Sequence, residues 1–301
     1  MCEDFHSGQQ SMGCMNSSTF VLIPKKDCAI QVDDYWPICL ANGAYMIVAK
    51  ILANRLKGVC GDLVNTAQAA FIPGRLLQEG FLAAQEVVNA LHRDHRKGLL
   101  FKLDFAKAYD NVDREFLLKV MAVHGFSSRW IRMISQCINS ARASVCVNGS
   151  LAGYFNLNKG LRQGDALSPL LFVLVANILS RLTRRAEQDR WVTGLAWTSS
   201  GQRVSLIQYA DDTLMMCEAE ESNVRGLRVI LKCFDLLTGL KIHFRKSTLL
   251  GINTSAEENR RMAAWMGCGV DEFPTRHLGL PLVKGRLVKA DWDPLIDRFQ
   301  R

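Results

Sequence analysis

Three carboxylates lie at the ends of apolar segments, where an ionised group is costly because its surroundings are poor in water. Asp104 ends the apolar run 99–103, and Asp211 and Asp212 follow the apolar run 204–209. An ionised acid beside a buried strand needs a compensating cation, and carboxylates from different strands that hold two divalent ions catalyse phosphoryl transfer. Side chains alternate between the two faces of a strand, so Asp211 and Asp212 can share an ion site only if their turn twists them together. An ordinary polar turn and a helix N-cap are the alternatives.

Two further segments carry groups that suit a phosphate. Residues 160–169 place two glycines around Arg162 and Gln163 just before a predicted helix start. A flexible backbone beside basic and amide donors favours close approach to a nucleotide, although a plain turn feeding a helix explains the same residues. Lys241 and Lys246 follow the paired acids, and a lysine there could neutralise or protonate a leaving pyrophosphate. A surface lysine is the alternative for each.

The composition bounds the class of protein. The chain has 301 residues, is 49% hydrophobic and contains 22 Gly and only 7 Pro, which excludes a disordered or collagen-like chain and allows one large core or two lobes. None of its ten cysteines forms a C-x-x-C pair, which argues against structural zinc and for reduced thiols. The first residues lack the pattern of a signal peptide, and the apolar run 170–176 is too short for a membrane span. We expect a protein that is neither secreted nor integral to a membrane.

The positive charge is concentrated in the middle of the chain. The net charge is +8, and residues 101–200 hold 13 basic and 7 acidic side chains. The densest basic stretch contains Arg181, Arg184, Arg185 and Arg190, which helical spacing would place on one side of a helix after Pro169. This stretch is either a solvated helix face or a phosphate-binding face, and the balance permits a nucleic-acid partner.

The periodicity predicts alternating helices and strands. The predicted helices span 43–59, 77–94, 113–125, 130–138, 169–188, 220–237 and 255–266. The predicted strands span 16–23, 99–104, 204–209, 213–217, 240–244, 247–251 and 276–282, with a hairpin at 143–157 around Asn148 and Gly149. No repeat or Ser/Gly-rich linker marks a domain boundary.

Five segments, taken in this order, resemble the palm of reverse transcriptases of LINE-type (non-long-terminal-repeat) retrotransposons, particularly those of plants. The segments are Lys102–Asp110, Gly160–Pro169, Tyr209–Asp212, Gly239–Ser247 and His277–Leu282. The connecting residues 16–25, 68–75 and 149–155 are similar to the family as well, so the resemblance covers nearly the whole chain.

The resemblance implies an α+β, right-hand polymerase fold with an antiparallel sheet covered by helices on one face. Fingers are expected at 1–100, a catalytic palm at 101–290 and the truncated start of a following segment at 291–301, with no thumb. By the same resemblance, both ends of the chain are expected to be cut.

The resemblance also implies a site. Asp104, Asp211 and Asp212 match the ligands of two Mg²⁺ ions, for which Mn²⁺ can substitute, and Lys246 matches a lysine that assists pyrophosphate departure. Tyr109 matches the aromatic residue that excludes a 2′-hydroxyl, and Leu278 with Gly279 matches the primer grip. The other residues matched to the nucleotide and template pocket are Arg162, Gln163, Gly164, Tyr209, Arg75, Gln68 and Lys25.

The implied activity is that of an RNA-directed DNA polymerase, which adds deoxynucleoside triphosphates to a DNA primer on an RNA template. Two residues depart from the family pattern: Trp36 stands where an arginine is usual, and Ala166 where a proline is usual. A degenerate, non-catalytic remnant that at most binds RNA is therefore the alternative. An unrelated palm-type nucleotidyl transferase or cyclase would share the acids but not the Gly160 loop together with Tyr209. The resemblance alone gives a nuclear or cytoplasmic location.

Overall fold

The computed structural model describes residues 2–8, 11–196 and 202–300. The helices are α1 Cys2–Ser7, α2 Gly43–Leu63, α3 Leu77–Arg93, α4 Ala108–Asn111, α5 Arg114–Val123, α6 Ser128–Asn139, α7 Ser168–Gln188, α8 Glu221–Thr238, α9 Ala256–Met266 and α10 Lys289–Gln300. The strands are β1 Ser17–Pro24, β2 Tyr35–Ala41, β3 Gly98–Leu103, β4 Arg142–Val147, β5 Ser150–Leu151, β6 Phe155–Asn156, β7 Leu195–Ala196, β8 Arg203–Val204, β9 Leu206–Tyr209, β10 Asp212–Glu218, β11 Thr248–Ile252, β12 Gly269–Asp271, β13 Thr275–His277 and β14 Leu280–Leu282.

The chain forms two compact units, each built from two segments. One unit, named the sheet-A unit, comprises Met1–Leu63 and Tyr109–Val175, and the other, the sheet-B unit, comprises Val64–Ala108 and Ala176–Arg301. The expected division into fingers and palm at residue 100 is a functional one and stays a prediction.

The sheet-A unit contains a mixed five-stranded sheet. Its strand order is β2-β1-β4-β5, with β6 also paired to β4. β1 runs antiparallel to β2 and parallel to β4, so that Thr19 lies between Leu40 and Ser144. Apolar side chains from α2, α5 and α6 fill its core, and the fully buried ones include Tyr45, Leu56, Leu117, Met121 and Ile134. β2 lies at the edge of this sheet.

The sheet-B unit carries the predicted acids. Its five-stranded sheet, named sheet B, has the strand order β12-β11-β3-β10-β9 and is antiparallel except for the pair β11 and β12. One face packs through Leu100, Leu214 and Leu250 against Val87 and Leu91 of α3. Every residue of β3 except Lys102 is buried, which is the pattern of a central strand covered on both faces.

The predicted helices are confirmed to within a few residues, and their caps explain several ends. Asp113 accepts the backbone N–H of Phe116 at 2.8 Å and so begins α5. Gly239 and Gly267, both with positive φ, end α8 and α9. Arg190, expected on the basic side of α7, lies beyond the end of that helix with φ 61°.

Four strand predictions need correction, and the first is 204–209, which is broken at Ser205 into the end of β8 and the separate strand β9. Residues 240–244 form no strand: only Ile242 makes an isolated bridge, to Phe105, because the chain turns there to bond Asp104. The predicted strand 276–282 is two short strands joined by a turn, and the predicted hairpin 143–157 adds a third strand, β6. The expected antiparallel sheet also contains the parallel pair β11 and β12.

Two further observations concern the composition. None of the eight cysteines whose side chains the structure describes forms a disulfide bond. Within the described ranges, no helix combines the length and the apolar character that crossing a membrane requires.

Candidate active site

The paired acids lie at a tight turn of sheet B. Tyr209, the last residue of β9, pairs with Asp212, the first residue of β10, so that Ala210 and Asp211 form a two-residue hairpin loop. Ala210 is buried and has φ 55°, a left-handed conformation that costs a non-glycine residue about 1–2 kcal/mol. Asp211 and Asp212 are both exposed. The turn therefore presents two carboxylates to solvent from a strained backbone.

Asp104 lies at the same end of the sheet. The last pair of the β3–β10 ladder joins Leu103 to Thr213, and one further step in that register sets Asp104 opposite Asp212. Residues directly opposite each other on adjacent strands share a face of the sheet, and their Cβ atoms lie about 4.5–5.5 Å apart. Asp104 and Asp212 thus occupy neighbouring strand ends on one face, with Asp211 beside them in the turn.

The electrostatics of these acids favour a cation. The pKa of the Asp212 carboxyl is raised, first by partial removal from water and then by the negative charge of Asp211; Asp104 adds to the rise and Lys102 opposes it. Among the described residues, no group of three or more His, Cys, Asp or Glu side chains is close enough to hold an ion by itself. Mg²⁺ is commonly held by one or two carboxylates together with substrate phosphates, so these acids fit such an ion.

Gln68 supports the acidic turn from inside the unit. Its side chain is fully buried, and its Oε1 accepts the N–H groups of Ala210 at 2.9 Å and Ala70 at 3.0 Å. Its Nε2 donates to the Ala210 carbonyl at 3.2 Å. A buried backbone group left without a partner costs about 1–3 kcal/mol, so this one amide prevents three such losses. The predicted contact of Gln68 with the template stays a prediction. In this structure the amide of Gln68 bonds backbone groups inside the protein.

The segment around Lys246 holds the backbone of Asp104. The N–H of His243 donates to the Asp104 carbonyl at 2.7 Å, and the N–H of Asp104 donates to Ser247 Oγ at 3.1 Å. Ser247 is buried, whereas Lys246 is exposed in the turn before β11. Sequence reasoning missed Ser247, because a single serine beside a turn carries no signal of a distant partner.

In the sheet-A unit, the loop that begins at Gly160 and leads into α7 packs tightly on the segment that carries Tyr109. Gly160 has φ +73°, and a Cβ there would lie 2.5 Å from the Asp110 carbonyl oxygen, so only glycine fits. The N–H of Leu161 donates to the Tyr109 carbonyl at 2.7 Å. The Tyr109 ring stacks on Phe172 with centroids 4.9 Å apart. The two motifs are therefore neighbours, and Tyr109 is held in one orientation.

Arg162 is placed differently from Gln163 and Gly164. Gln163 and Gly164 are exposed, whereas Arg162 is 9% exposed and stacks over the Tyr45 ring at 4.4 Å. Its Nη2 donates to Asn16 Oδ1 at 2.7 Å, while its Nε and Nη1 have no hydrogen-bond partner in the described part of the chain. The predicted contact of Arg162 with a nucleotide or template stays a prediction. In this structure the side chain packs inside the sheet-A unit against Tyr45 and Asn16.

Asp165 fixes the far end of the same loop. Its carboxylate accepts the N–H groups of Leu167 at 2.6 Å and Ser168 at 2.7 Å, which caps the start of α7, and the Tyr45 hydroxyl donates to it at 2.6 Å. Burial, and then the charge of Asp165, hold the pKa of Tyr45 well above its usual range. Asp165 is therefore a structural acid, which separates it from the exposed acids of sheet B.

The remaining predicted nucleotide-side residues belong to both units, Lys25 to the sheet-A unit and Arg75 and Tyr209 to the sheet-B unit, and Trp36 also belongs to the sheet-A unit. Arg75 donates to the carbonyls of Asn65 at 2.6 Å and Gln68 at 2.7 Å, and so organises the loop before α3. Lys25 is exposed at the end of β1, and Tyr209 is half-buried next to the acidic turn. Trp36 is 57% exposed on edge strand β2.

The predicted primer grip is the turn between β13 and β14. His277 pairs with Leu280, and Leu278 and Gly279 between them have φ 54° and 80°, the pattern of a type I′ hairpin turn. A leucine in this conformation is strained, as is common at functional turns. His277 is 1% exposed, and neither ring nitrogen has a partner among the described residues. Burial first, and then the charge of Lys102, lower the pKa of His277 to about 4.

Comparison with known proteins gives the same assignment. The family model described as "Reverse transcriptase (RNA-dependent DNA polymerase)" matches residues 23–279, which include all three acids. A "Transposon TX1 uncharacterized 149 kDa protein" of Xenopus laevis is 27% identical over 218 residues, covering 72% of this chain and 16% of that protein. A "Retrovirus-related Pol polyprotein from type-1 retrotransposable element R2" of Nasonia vitripennis is 27% identical over 262 residues, covering 85% of this chain and 24% of that protein.

A solved structure extends the comparison to the fold. Apo telomerase from Candida Tropicalis, truncated from its C-terminal domain, superposes with a TM-score of 0.58 at 12% identity, covering 92% of this chain and 55% of that one. The chain belongs to the reverse transcriptase family. It is a reverse transcriptase domain of the non-long-terminal-repeat type found in R2 and TX1 elements, and it spans 16–24% of the length of those two relatives.

Proposed function

We propose that this chain is the catalytic domain of a non-long-terminal-repeat retrotransposon, of the plant type its motifs resemble. It adds deoxynucleotides to the 3′-hydroxyl of a DNA primer along an RNA template. The observation that carries the proposal is the register of sheet B, which sets Asp104 opposite Asp212 and leaves Asp211 beside them. Exposed carboxylates on the strand ends of a reverse transcriptase domain support a site for divalent ions, and burial together with the charge of Asp211 raises the pKa of Asp212.

Asp104, Asp211 and Asp212 are the residues that would hold the two Mg²⁺ ions, with Mn²⁺ as a substitute. Bound Mg²⁺ supplies activation of the primer hydroxyl and compensation of the triphosphate charge. Lys246 is exposed, as a residue that protonates the departing pyrophosphate must be. Asp104 is kept in place by backbone bonds to His243 and Ser247.

The other roles are proposals of the same kind. Tyr109, held by its stack on Phe172, excludes a 2′-hydroxyl and so makes the product DNA. Gln163, Gly164 and Lys25, which are exposed in the sheet-A unit, contact the nucleotide or the template. Tyr209, half-buried beside the acidic turn of the sheet-B unit, has the same proposed role. Leu278 and Gly279 grip the primer, and fingers at 1–100 and a palm at 101–290 describe the working parts. The protein acts in the nucleus or cytoplasm.

The charge distribution supports a nucleic-acid partner. Residues 101–200 hold 13 basic and 7 acidic side chains, and Arg184 and Arg185 are exposed on α7. Basic groups that neutralise phosphates make binding weaken as salt rises, by roughly one power of the salt concentration per phosphate contacted. RNA–DNA hybrid binding is therefore expected to fall steeply with salt.

A second candidate is a degenerate remnant that binds RNA without catalysis. Trp36 favours it, because this exposed indole offers no charged fork where the resemblance leads us to expect an arginine on the incoming triphosphate. Lys26, a potential substitute, is paired with Asp34 at 2.8 Å.

Primer extension on an RNA template with Mg²⁺ or Mn²⁺ separates the two candidates. The native chain, Trp36→Arg and Asp211→Asn are compared, with Asp189→Asn as the matched control, because Asp189 is a surface acid paired with Arg185 at 2.8 Å in the same unit as Asp211. Extension by the native chain and by Asp189→Asn, but not by Asp211→Asn, is the expected result. If neither the native chain nor Trp36→Arg exceeds the Asp211→Asn background, the remnant is the correct description.

A further inference from the structure

Gln68 is joined to the acidic turn by more than one contact. The segment 67–69 runs along the free edge of β9: the N–H of Gln208 donates to the Ala67 carbonyl at 2.7 Å, and the N–H of Ala69 donates to the Gln208 carbonyl at 3.0 Å. This pairing carries the Gln68 side chain to both backbone groups of Ala210. The contact is therefore built into the edge of the sheet.

The contact falls at the residue that sets the direction of the acids. Ala210 directly precedes Asp211 and has φ 55°, a conformation that alanine rarely adopts. The two-residue loop leaves its N–H and carbonyl without partners in the β9–β10 ladder, and its burial keeps water away. A change in the orientation of this residue would redirect Asp211 and the start of β10.

We propose that Gln68 is a positioning residue for catalysis, whose amide clamps Ala210 and so fixes where Asp211 and Asp212 point. This inference rests on the proposed polymerase function. An uncharged amide suits the position, because its oxygen accepts from the N–H of Ala210 while its nitrogen donates to the Ala210 carbonyl. Gln68 thus acts through the turn and not through the template.

Gln85 provides a matched control in the same unit. It is also a buried glutamine, and its amide bonds both backbone groups of one residue, Val283: Nε2 donates to the carbonyl at 2.9 Å, and Oε1 accepts the N–H at 3.1 Å. Gln68→Met and Gln85→Met therefore remove the same chemistry from two different places. Methionine keeps the length of the side chain and removes its hydrogen bonds.

Hydrogen exchange of the full chain, without metal or nucleotide, tests the clamp directly. In Gln68→Met, the amides of 210–212 are expected to exchange at least about tenfold faster while those of β3 keep their protection. In Gln85→Met, the increase is expected at Val283 and not at 210–212. If the two variants give the same pattern, or if 210–212 keep their protection in Gln68→Met, the clamp is refuted. Should Gln68→Met not fold, Gln68→Asn, whose amide is one methylene too short to reach, replaces it.

Steady-state primer extension tests the effect on catalysis. Misplacement of reacting groups by about 1 Å lowers turnover about a hundredfold, so Gln68→Met is expected to lower kcat by about 10–100-fold with the primer–template KM within about twofold of native. Adding Ala210→Gly to Gln68→Met is expected to restore part of kcat, because glycine adopts positive φ without strain. A raised KM at native kcat would make Gln68 a template contact and overturn the proposal. An inactive native chain would refute the polymerase function, while the exchange experiment still decides the clamp.

Discussion

His277 gives a prediction whose size follows from its surroundings. It is 1% exposed, neither ring nitrogen has a partner in the described structure, and burial together with Lys102 lowers its pKa from 6.5 to about 4. As the pH falls below 6.5, the unfolded chain takes up a proton that the folded chain refuses until about pH 4. His277 therefore leaves the folding stability independent of pH above about 6.5, and the folded state loses stability as the pH falls from 6.5 towards 4.

The interval between the pKa of His277 in the unfolded chain, 6.5, and in the folded chain, about 4, sets the size of the pH-dependent loss of stability. At about 1.36 kcal/mol per pH unit, the full loss is about 3 kcal/mol, of which about 2 kcal/mol is reached at pH 5. His277→Leu, a change to an apolar side chain of similar size, removes this pH dependence. It also removes two unpaired buried nitrogens, so at pH 7 we expect the variant to be more stable by about 1–3 kcal/mol.

The assay is urea unfolding between pH 5 and pH 8, followed by tryptophan fluorescence. The difference in unfolding free energy between His277→Leu and the native chain should grow by about 2 kcal/mol from pH 8 to pH 5. His95→Gln controls for the loss of an exposed histidine from the same unit. Parallel curves for the native chain and His277→Leu would refute the neutral, buried state of His277.

Three further predictions follow from the site. Gly160→Ala should lower the free energy of unfolding in urea by at least about 2 kcal/mol, because the added Cβ would lie 2.5 Å from a backbone carbonyl oxygen. Gly164→Ala, whose added Cβ has no atom nearer than 3.9 Å, should cost only the positive-φ strain of about 1 kcal/mol. Equal losses in the two variants would contradict this. Ser247→Ala removes the acceptor of the Asp104 N–H and should lower the free energy of unfolding by about 1–3 kcal/mol in the same assay. In primer extension it should lower kcat while changing the KM for the primer less, and a change in KM alone would count against it. Trp36→Arg should raise kcat/KM for the nucleotide by roughly 30-fold or more, since a charged contact to the transition state contributes about 2–4 kcal/mol, and an unchanged value would show that no arginine is needed there.

The sequence predicted the elements that local patterns specify. The apolar spacings of α2, α3 and α8, the Asp113 cap and the Asn148–Gly149 turn each depend on residues close together in the chain, and each is present. The strand predicted at 240–244 is wrong because the conformation there depends on residues that are distant in the chain. Its alternating apolar residues satisfy a strand pattern, but its backbone groups bond Asp104 and Ala106 through a turn and a single bridge.

Within the site, the exposed acids were predictable and their supports were not. Asp104, Asp211 and Asp212 stand out because acids at the ends of apolar strands are unusual. Nothing in the sequence indicates that Gln68 bonds a residue 142 positions away, or that Ser247 bonds one 143 positions away, since such contacts depend on tertiary register. Arg162 and Gln163 are neighbours in one motif, yet only the structure shows that the first is buried and the second exposed.

Single-nucleotide addition opposite a defined base of an RNA template tests the central claim most directly. The native chain, or Trp36→Arg if the native rate is too low to measure, should add only the complementary deoxynucleotide to a DNA primer when Mg²⁺ is supplied. Asp211→Asn should add none, and Asp189→Asn should match the chain from which it was made. No addition by either active form, or addition that ignores the template base or survives Asp211→Asn, would contradict RNA-directed polymerisation at these three carboxylates.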